Sequence, residues 1–407
     1  MRNTLAPLAT TLTVQSLVSM AVVTVPVLAP AAAPETGVPA SYAGIFIALV
    51  YGAGMTASLV SGPLVQRFGA IRVSQACLVA CALGLACIAS GSLPLFIVSA
   101  LLLGAGYGPV TPASSHILAK STPPERMALI FSLKQTGVPI GGALAGALIP
   151  TLVLWSGWRM SALLVAVACM ITVIFTQPFR KALDSDRDPA KPLVVASLAG
   201  PLRYTLGNRD LRRLALCSFF FAALQLSLVS FLVTHLTLNT GLTLVHAGLM
   251  LMAAQVGGAV ARVIWGALSD RWGRPTSVLG FMAIAMGAAA VAAGCFTAQW
   301  PLALIALVSV AFGGTAIGWN GVYLAQVARL APPGKAGDAT GGALAFTYAG
   351  VLFGPPIFTL LVGWGTGYGV AYMLVAIPSV VCGLWLLGHA RSAAEHKEKE
   401  LGPMEND

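Results

Sequence analysis

Charge is scarce in this chain: Asp, Glu, Lys and Arg together make up 9% of its 407 residues, while 57% are hydrophobic. A water-soluble domain has roughly a quarter of its residues charged, so this composition excludes one. Acid is scarcer than base, at 13 Asp and Glu, and none falls inside a long apolar stretch. That absence removes the buried acid–base pair or Ser-His-Asp set that an enzyme would need. Cysteine is also sparse: Cys77, Cys81, Cys87, Cys169, Cys217, Cys295 and Cys382 all lie in apolar stretches. An odd, membrane-buried set argues against a disulfide framework or zinc site and fits small packing residues. No spaced His, Cys, Asp and Glu cluster suggests a metal, and no cofactor is expected. No soluble domain is left to carry a basic face for nucleic acid.

What the chain has is length of apolar sequence. A helix needs about 20 apolar residues to cross a bilayer. Twelve stretches qualify, near 8–29, 41–62, 73–92, 94–118, 128–152, 160–179, 213–236, 244–267, 277–297, 301–327, 340–362 and 369–389. They are numbered below as spans one to twelve. The first is too long for a signal-peptide core and has no convincing cleavage site. The expected fold is an all-α membrane protein of twelve transmembrane helices in two pseudo-symmetric six-helix halves. The halves are residues 1–179 and 213–389, joined by a cytoplasmic linker, 180–212, and followed by a tail, 390–407, expected to be disordered. Within the linker, 192–206 has weak amphipathic character and reads as a short surface helix. All Lys and Arg except Arg159, Lys134 and Arg262 fall on one side of these spans. By the positive-inside rule that side is cytoplasmic and holds both termini, so the net charge of +10 is a topology signal. A multi-pass protein of the inner, cytoplasmic membrane follows, surrounded by lipid bilayer and expected as a monomer.

Landmarks repeat between the halves. The loop Gly62-Pro63-Leu64-Val65-Gln66-Arg67-Phe68-Gly69-Ala70 returns 204 residues later as Gly266-Ala267-Leu268-Ser269-Asp270-Arg271-Trp272-Gly273-Arg274. Pro123-Pro124-Glu125-Arg126 returns as Pro332-Pro333-Gly334-Lys335, and the Gly137–Gly142 segment is echoed by Gly350–Pro355. Each half has an even number of spans, so these are parallel repeats, with a substrate site expected where they meet. Close helix contacts are expected at Gly104/Gly108, Gly137/Gly141, Gly142/Gly146, Gly314/Gly318 and Gly350/Gly354.

The second loop, Gly-x-Leu-x-Asp-Arg-x-Gly-Arg, resembles the signature loop of major facilitator superfamily transporters; the first lacks the Asp. The resemblance implies secondary transport by rocking of the halves. It also implies a conformational latch of Gly266, Asp270, Arg271, Gly273 and Arg274, with Asp270 facing the start of span five near Arg126–Met127. Superfamily exporters coupled to protons often carry an Arg early in span four, where this chain has Ala100.

Two cations remain in apolar surroundings: Arg262 in span eight and Lys134 in span five. A buried cation costs roughly 2.5–3.5 kcal/mol at mid-bilayer unless it snorkels. A planar Arg fork matches a carboxylate, and Lys adds a point charge. Spans five and eight are neighbours in the superfamily fold, so both cations are expected to face one cavity. An Arg in span eight also looks like monocarboxylate carriers and the oxalate–formate exchanger. There is a departure, because Gly258 stands where an Asp would precede Arg262 by one turn. The Lys134–Pro139 segment weakly resembles cyanate-transporter-like members. Uncharged candidates are Gln255, on the face of Arg262, together with Asn320, Tyr323, Tyr348, Tyr51 and Gln15. Each serves equally well as an interhelical hydrogen-bonding group. The expected substrate is a small organic anion, a carboxylate, with a co- or counter-transported ion left open. The alternative is a proton-linked multidrug exporter using His116 or Glu35. A membrane sensor lacks an output domain in this sequence.

Overall fold

The computed structural model describes residues 2–122, 130, 133–190, 199–331 and 336–401; the remaining residues include both Pro-Pro turns. The described chain is helical, with no strand among the described residues. Among the described residues, ten helical segments are long and apolar enough to cross a membrane. Two of them, Leu133–Leu183 and Ala339–Ala390, are twice the usual length. Each is broken by a glycine in the same unusual conformation: Gly157 at φ 76°, ψ 166° and Gly367 at φ 74°, ψ 165°. These two segments therefore supply spans five and six and spans eleven and twelve, which brings the passes to twelve.

Side chains fix several helix starts. The Asn208 side chain accepts hydrogen bonds from the Asp210 and Leu211 backbone N–H at 3.0 and 3.1 Å and opens the span-seven helix Arg209–Asn239. Thr243 caps the span-eight helix Leu244–Trp272 in the same way, and Gly273 closes it in the left-handed conformation. Spans four and ten are each interrupted. The first runs as Leu93–Tyr107 and Val110–Ser121, the second as Leu302–Ala316 and Asn320–Leu330.

All five glycine pairs expected as close contacts lie against another helix. Gly104 and Gly108 meet span two at Gly54, and Gly137 and Gly141 meet span one. Gly142 and Gly146 meet span eight at Gln255 and Gly248, Gly314 and Gly318 also meet span eight, and Gly350 and Gly354 meet span seven. The halves join through spans two and eleven, five and eight, and one and seven. At the end opposite the basic loops this seam is tight. Thr359 Oγ1 donates to the Ser41 carbonyl at 2.7 Å, and Gly146 lies against Gly248.

Two segments differ from expectation. Of the expected linker helix, 192–198 lie outside the described residues; the rest falls in the helix Ala199–Gly207, which packs under span eleven. Thr205 is fully buried there, and Pro201 lies against Gly342. The tail is helical, because the span-twelve helix Gly367–Leu401 runs past residue 389. Residues 390–401 are rich in strong helix formers, which explains this; 402–407 lie outside the described residues.

Candidate functional site

Lys134 does not snorkel. It is 1% exposed, and its Nζ donates to Thr111 Oγ1 at 3.3 Å and Gln135 Oε1 at 3.2 Å. Thr111 in turn donates to Gln15 Oε1 at 3.2 Å, and Gln15 Nε2 donates to Ser19 at 3.4 Å. Spans one, four and five of the first half thus form a polar chain around one cation. No carboxylate takes part in it among the described residues.

Arg262 has a different setting. The interruption of span ten leaves carbonyls without helical partners, and span eight supplies donors to them. Arg262 Nη2 donates to the Ile317 carbonyl at 3.0 Å, and Trp265 Nε1 donates to the Gly314 carbonyl at 3.0 Å. Arg262 Nε is buried with no partner. Tyr107 of the opposite half lies within electrostatic reach of the guanidinium and of Tyr348. The Tyr51 and Tyr107 rings meet edge to face with centroids 5.3 Å apart. Spans two, four, eight and eleven therefore bring three tyrosines and one arginine together across the seam. Gln255 lies seven residues before Arg262 on the same helix, its amide against Gly142 of span five.

The two cations are not in contact with each other; each has its own polar partners. Asn320 Nδ2 donates to Gln225 Oε1 at 3.3 Å, an oxygen that also accepts from Trp319 Nε1 at 3.0 Å. Tyr323 is 1% exposed and its hydroxyl donates to the Ala343 carbonyl at 3.2 Å. Both residues brace the second half internally. Thr111 and Tyr107 escaped the sequence reading. A threonine in an apolar span ordinarily bonds back to its own helix, and nothing local distinguishes one tyrosine from another. The Gly108-Pro109 break next to both was the available signal.

The residues proposed for proton coupling sit away from this centre. His116 Nε2 is 2.8 Å from Asp186 of the linker, whose other oxygen is 2.9 Å from Lys120. Glu35 pairs with Arg159 at 2.9 Å at the opposite end. His235 is buried, with Nε2 2.9 Å from the Ala293 carbonyl. Burial alone would raise the Asp186 pKa, but hydrogen bonds from Lys120 and His116 hold it below the ordinary carboxylate value.

The signature loops also part company. Asp270 Oδ1 accepts from Arg329 Nη2 at 2.8 Å, within its own half. The expected counterpart near Arg126–Met127 lies outside the described residues, and Arg271 has no ion pair among those described. In the first half the place of a loop carboxylate is taken by the linker. Asp184 Oδ1 and Oδ2 accept from the Ile71 and Arg72 backbone N–H at 2.7 and 3.2 Å, and Asp188 N donates to the Gln66 carbonyl at 2.8 Å.

A bundle of two like halves, broken helices at its seam and a buried cation held there make up the architecture of a membrane carrier. The sequence pattern of the Major Facilitator Superfamily matches residues 11–341 and 214–404, and the chain belongs to that superfamily. It is 23% identical to the gentisate transporter of Corynebacterium glutamicum over 70% of this chain, spanning 64% of that protein's length. It is 26% identical to the probable nitrate/nitrite transporter NarK2 of Mycobacterium tuberculosis over 88% of this chain and 90% of that one. A solved POT family transporter in complex with 5-aminolevulinic acid shares the fold at 13% identity, with a TM-score of 0.75 over 95% of this chain and 96% of its own.

Proposed function

We propose that the chain is a secondary transporter moving a small organic anion, a carboxylate, across the cytoplasmic membrane by alternating access. Both termini are on the cytoplasmic side. The observation that carries this is the Arg262 guanidinium at the seam, with one buried N–H unpaired and a tyrosine of the opposite half within reach. A buried unsatisfied donor costs roughly 1–3 kcal/mol, more when charged, and an entering carboxylate would relieve it. Tyr51, Tyr107 and Tyr348 offer ring faces and hydroxyls around the anion. That lining suits a flat carboxylate, and the likeness to a gentisate transporter points the same way. Lys134 adds positive potential from the first half, Gln255 and Gln15 add amides, and Asn320 and Tyr323 hold the framework. The tight seam at the end opposite the basic loops supports a state open to the cytoplasm.

No carboxylate takes part in this centre among the described residues, which favours exchange or facilitated passage over proton symport. The placement of His116 and Glu35 at the two ends counts against the proton-linked exporter. Arg262→Ala is expected to abolish uptake of aromatic carboxylates in proteoliposomes while the protein stays folded, with Arg262→Lys retaining a fraction. Normal uptake by the alanine variant would end the anion-site reading.

A further inference from the structure

The two halves treat the start of their third helix differently. In the first half, the helix Ala70–Ala89 begins against the Asp184 carboxylate. That carboxylate arrives because Gln177-Pro178 ends span six, and the chain folds back under the half. In the second half, the helix Pro275–Gly294 begins at Arg274 with no side-chain cap. Span twelve runs on as helix, and among the described residues no carboxylate caps the equivalent place.

That place is a cavity of about 520 Å³. Its walls carry Arg213, Arg274, Arg329 and His389, with Asp210 as the one acid and Thr276 and Ser277 at the helix start. Arg329 also pairs with Asp270 and Arg213 with Asp210, while Arg274 has no ion pair among the described residues. Three arginines therefore face two carboxylates around the positive end of a 20-residue helix. Arg274 and Ser277 also line an adjoining cavity of about 450 Å³, bounded by Trp272, Phe281 and Leu387. Trp272 and Phe281 are more than half exposed, on the apolar outside of the bundle. A cationic recess thus adjoins a greasy outer wall, with Arg274 and Ser277 between them.

We infer that this recess is a binding site for an anionic phospholipid. The phosphate would sit among Arg274, Arg329 and the first turn of the span-nine helix, and an acyl chain would lie along Phe281 and Leu387. Arg forks and helix N-termini are both suited to phosphate oxygens. The lipid would supply in the second half the negative group that Asp184 supplies in the first. Free inorganic phosphate shares the headgroup chemistry but would leave the apolar wall unused.

The test is the thermal stability of the detergent-purified full chain, titrated with phosphatidylglycerol, with phosphatidylcholine and with inorganic phosphate at matched ionic strength. Phosphatidylglycerol is expected to raise the unfolding temperature by several degrees, with phosphatidylcholine and inorganic phosphate at 10 mM doing little, about a tenth as much. Arg274→Gln should weaken the half-saturating lipid concentration at least about tenfold. Thr276→Glu, which installs a carboxylate at the helix start, should be stabilised without lipid and lose the lipid response. Equal lipid stabilisation of the parent chain and both variants would overturn the site. Full reproduction of the effect by inorganic phosphate would overturn the lipid as its occupant.

Discussion

The loops at 62–70 and 266–274 began as the same sequence device and now work by different means. In the later loop the acid is local: Asp270 reaches Arg329, and both side chains are at least half exposed. In the earlier loop Gln66 stands where the acid would be, and Asp184 arrives from 113 residues beyond Ile71 to occupy the helix start. Asp184 is 5% exposed and bonds two backbone N–H groups, so it is much the more committed of the two. The glycines that close the loops diverge accordingly. Gly273 adopts the ordinary left-handed cap at φ 61°, ψ 17°, with open space where a Cβ would go. Gly69 sits at φ 98°, ψ 147°, where a Cβ would overlap the Asp184 carboxyl. The two loops share a glycine at the turn but differ in its conformation and in where the nearby carboxylate comes from. A buried contact made at long range is worth more than an exposed one made next door.

This difference can be broken most sharply at Asp184. Asp184→Ala strands one buried and one half-buried backbone donor and removes a cap, an expected loss on the order of 2 kcal/mol, visible as earlier thermal unfolding in detergent. A variant as stable as the parent would mean that water satisfies those groups equally well. Gly69→Ala should cost about 1–3 kcal/mol from backbone strain alone. Gly273→Ala, by contrast, should cost about 1 kcal/mol. If the two glycine variants unfold together, the loops are equivalent after all. Asp270→Asn should barely change stability, by less than about 1 kcal/mol, since its partner is solvent-exposed. Its effect is expected in conformation, as a shift of the resting population toward the inward-open form, read by labelling of cysteines introduced at the cytoplasmic mouth. Unchanged labelling would leave Asp270 a local ion pair only.

The smallest effect concerns pH. Asp186 is held below its ordinary pKa by Lys120 and His116, so its contribution to docking the linker is present above the ordinary carboxylate value of 3.8. That contribution is lost as pH falls through the lowered value. Protease cleavage in the linker should therefore accelerate below about pH 4 in the parent and less so in Asp186→Asn. A pH-independent cleavage rate would remove Asp186 from the clasp.

Particular residues show where sequence reasoning reached and where it stopped. The paired loops, the glycine pairs and the retained Arg262 stood out because each breaks a local rule: a charge in oil, or a missing side chain at regular spacing. Asp184 did not stand out, since Asp184-Ser185-Asp186-Arg187-Asp188 looks like any solvated linker until the fold turns it under span three. By residue type Asn320 and Tyr323 suit a ligand, yet their partners, Gln225 and the Ala343 carbonyl, lie on other helices. A polar side chain in a membrane must find some partner, and which one it finds is a matter of helix packing.

Hydropathy, charge asymmetry and repetition were enough to settle a membrane bundle of two like halves, because each is a property of segments and needs no neighbour to be meaningful. Which residues meet at the seam, which carboxylate serves which helix end, and where a recess forms were decided by tertiary packing. Those are relations between groups on separate helices, and in hydrocarbon the cost of an unpaired polar atom makes such pairings obligatory without specifying them in advance.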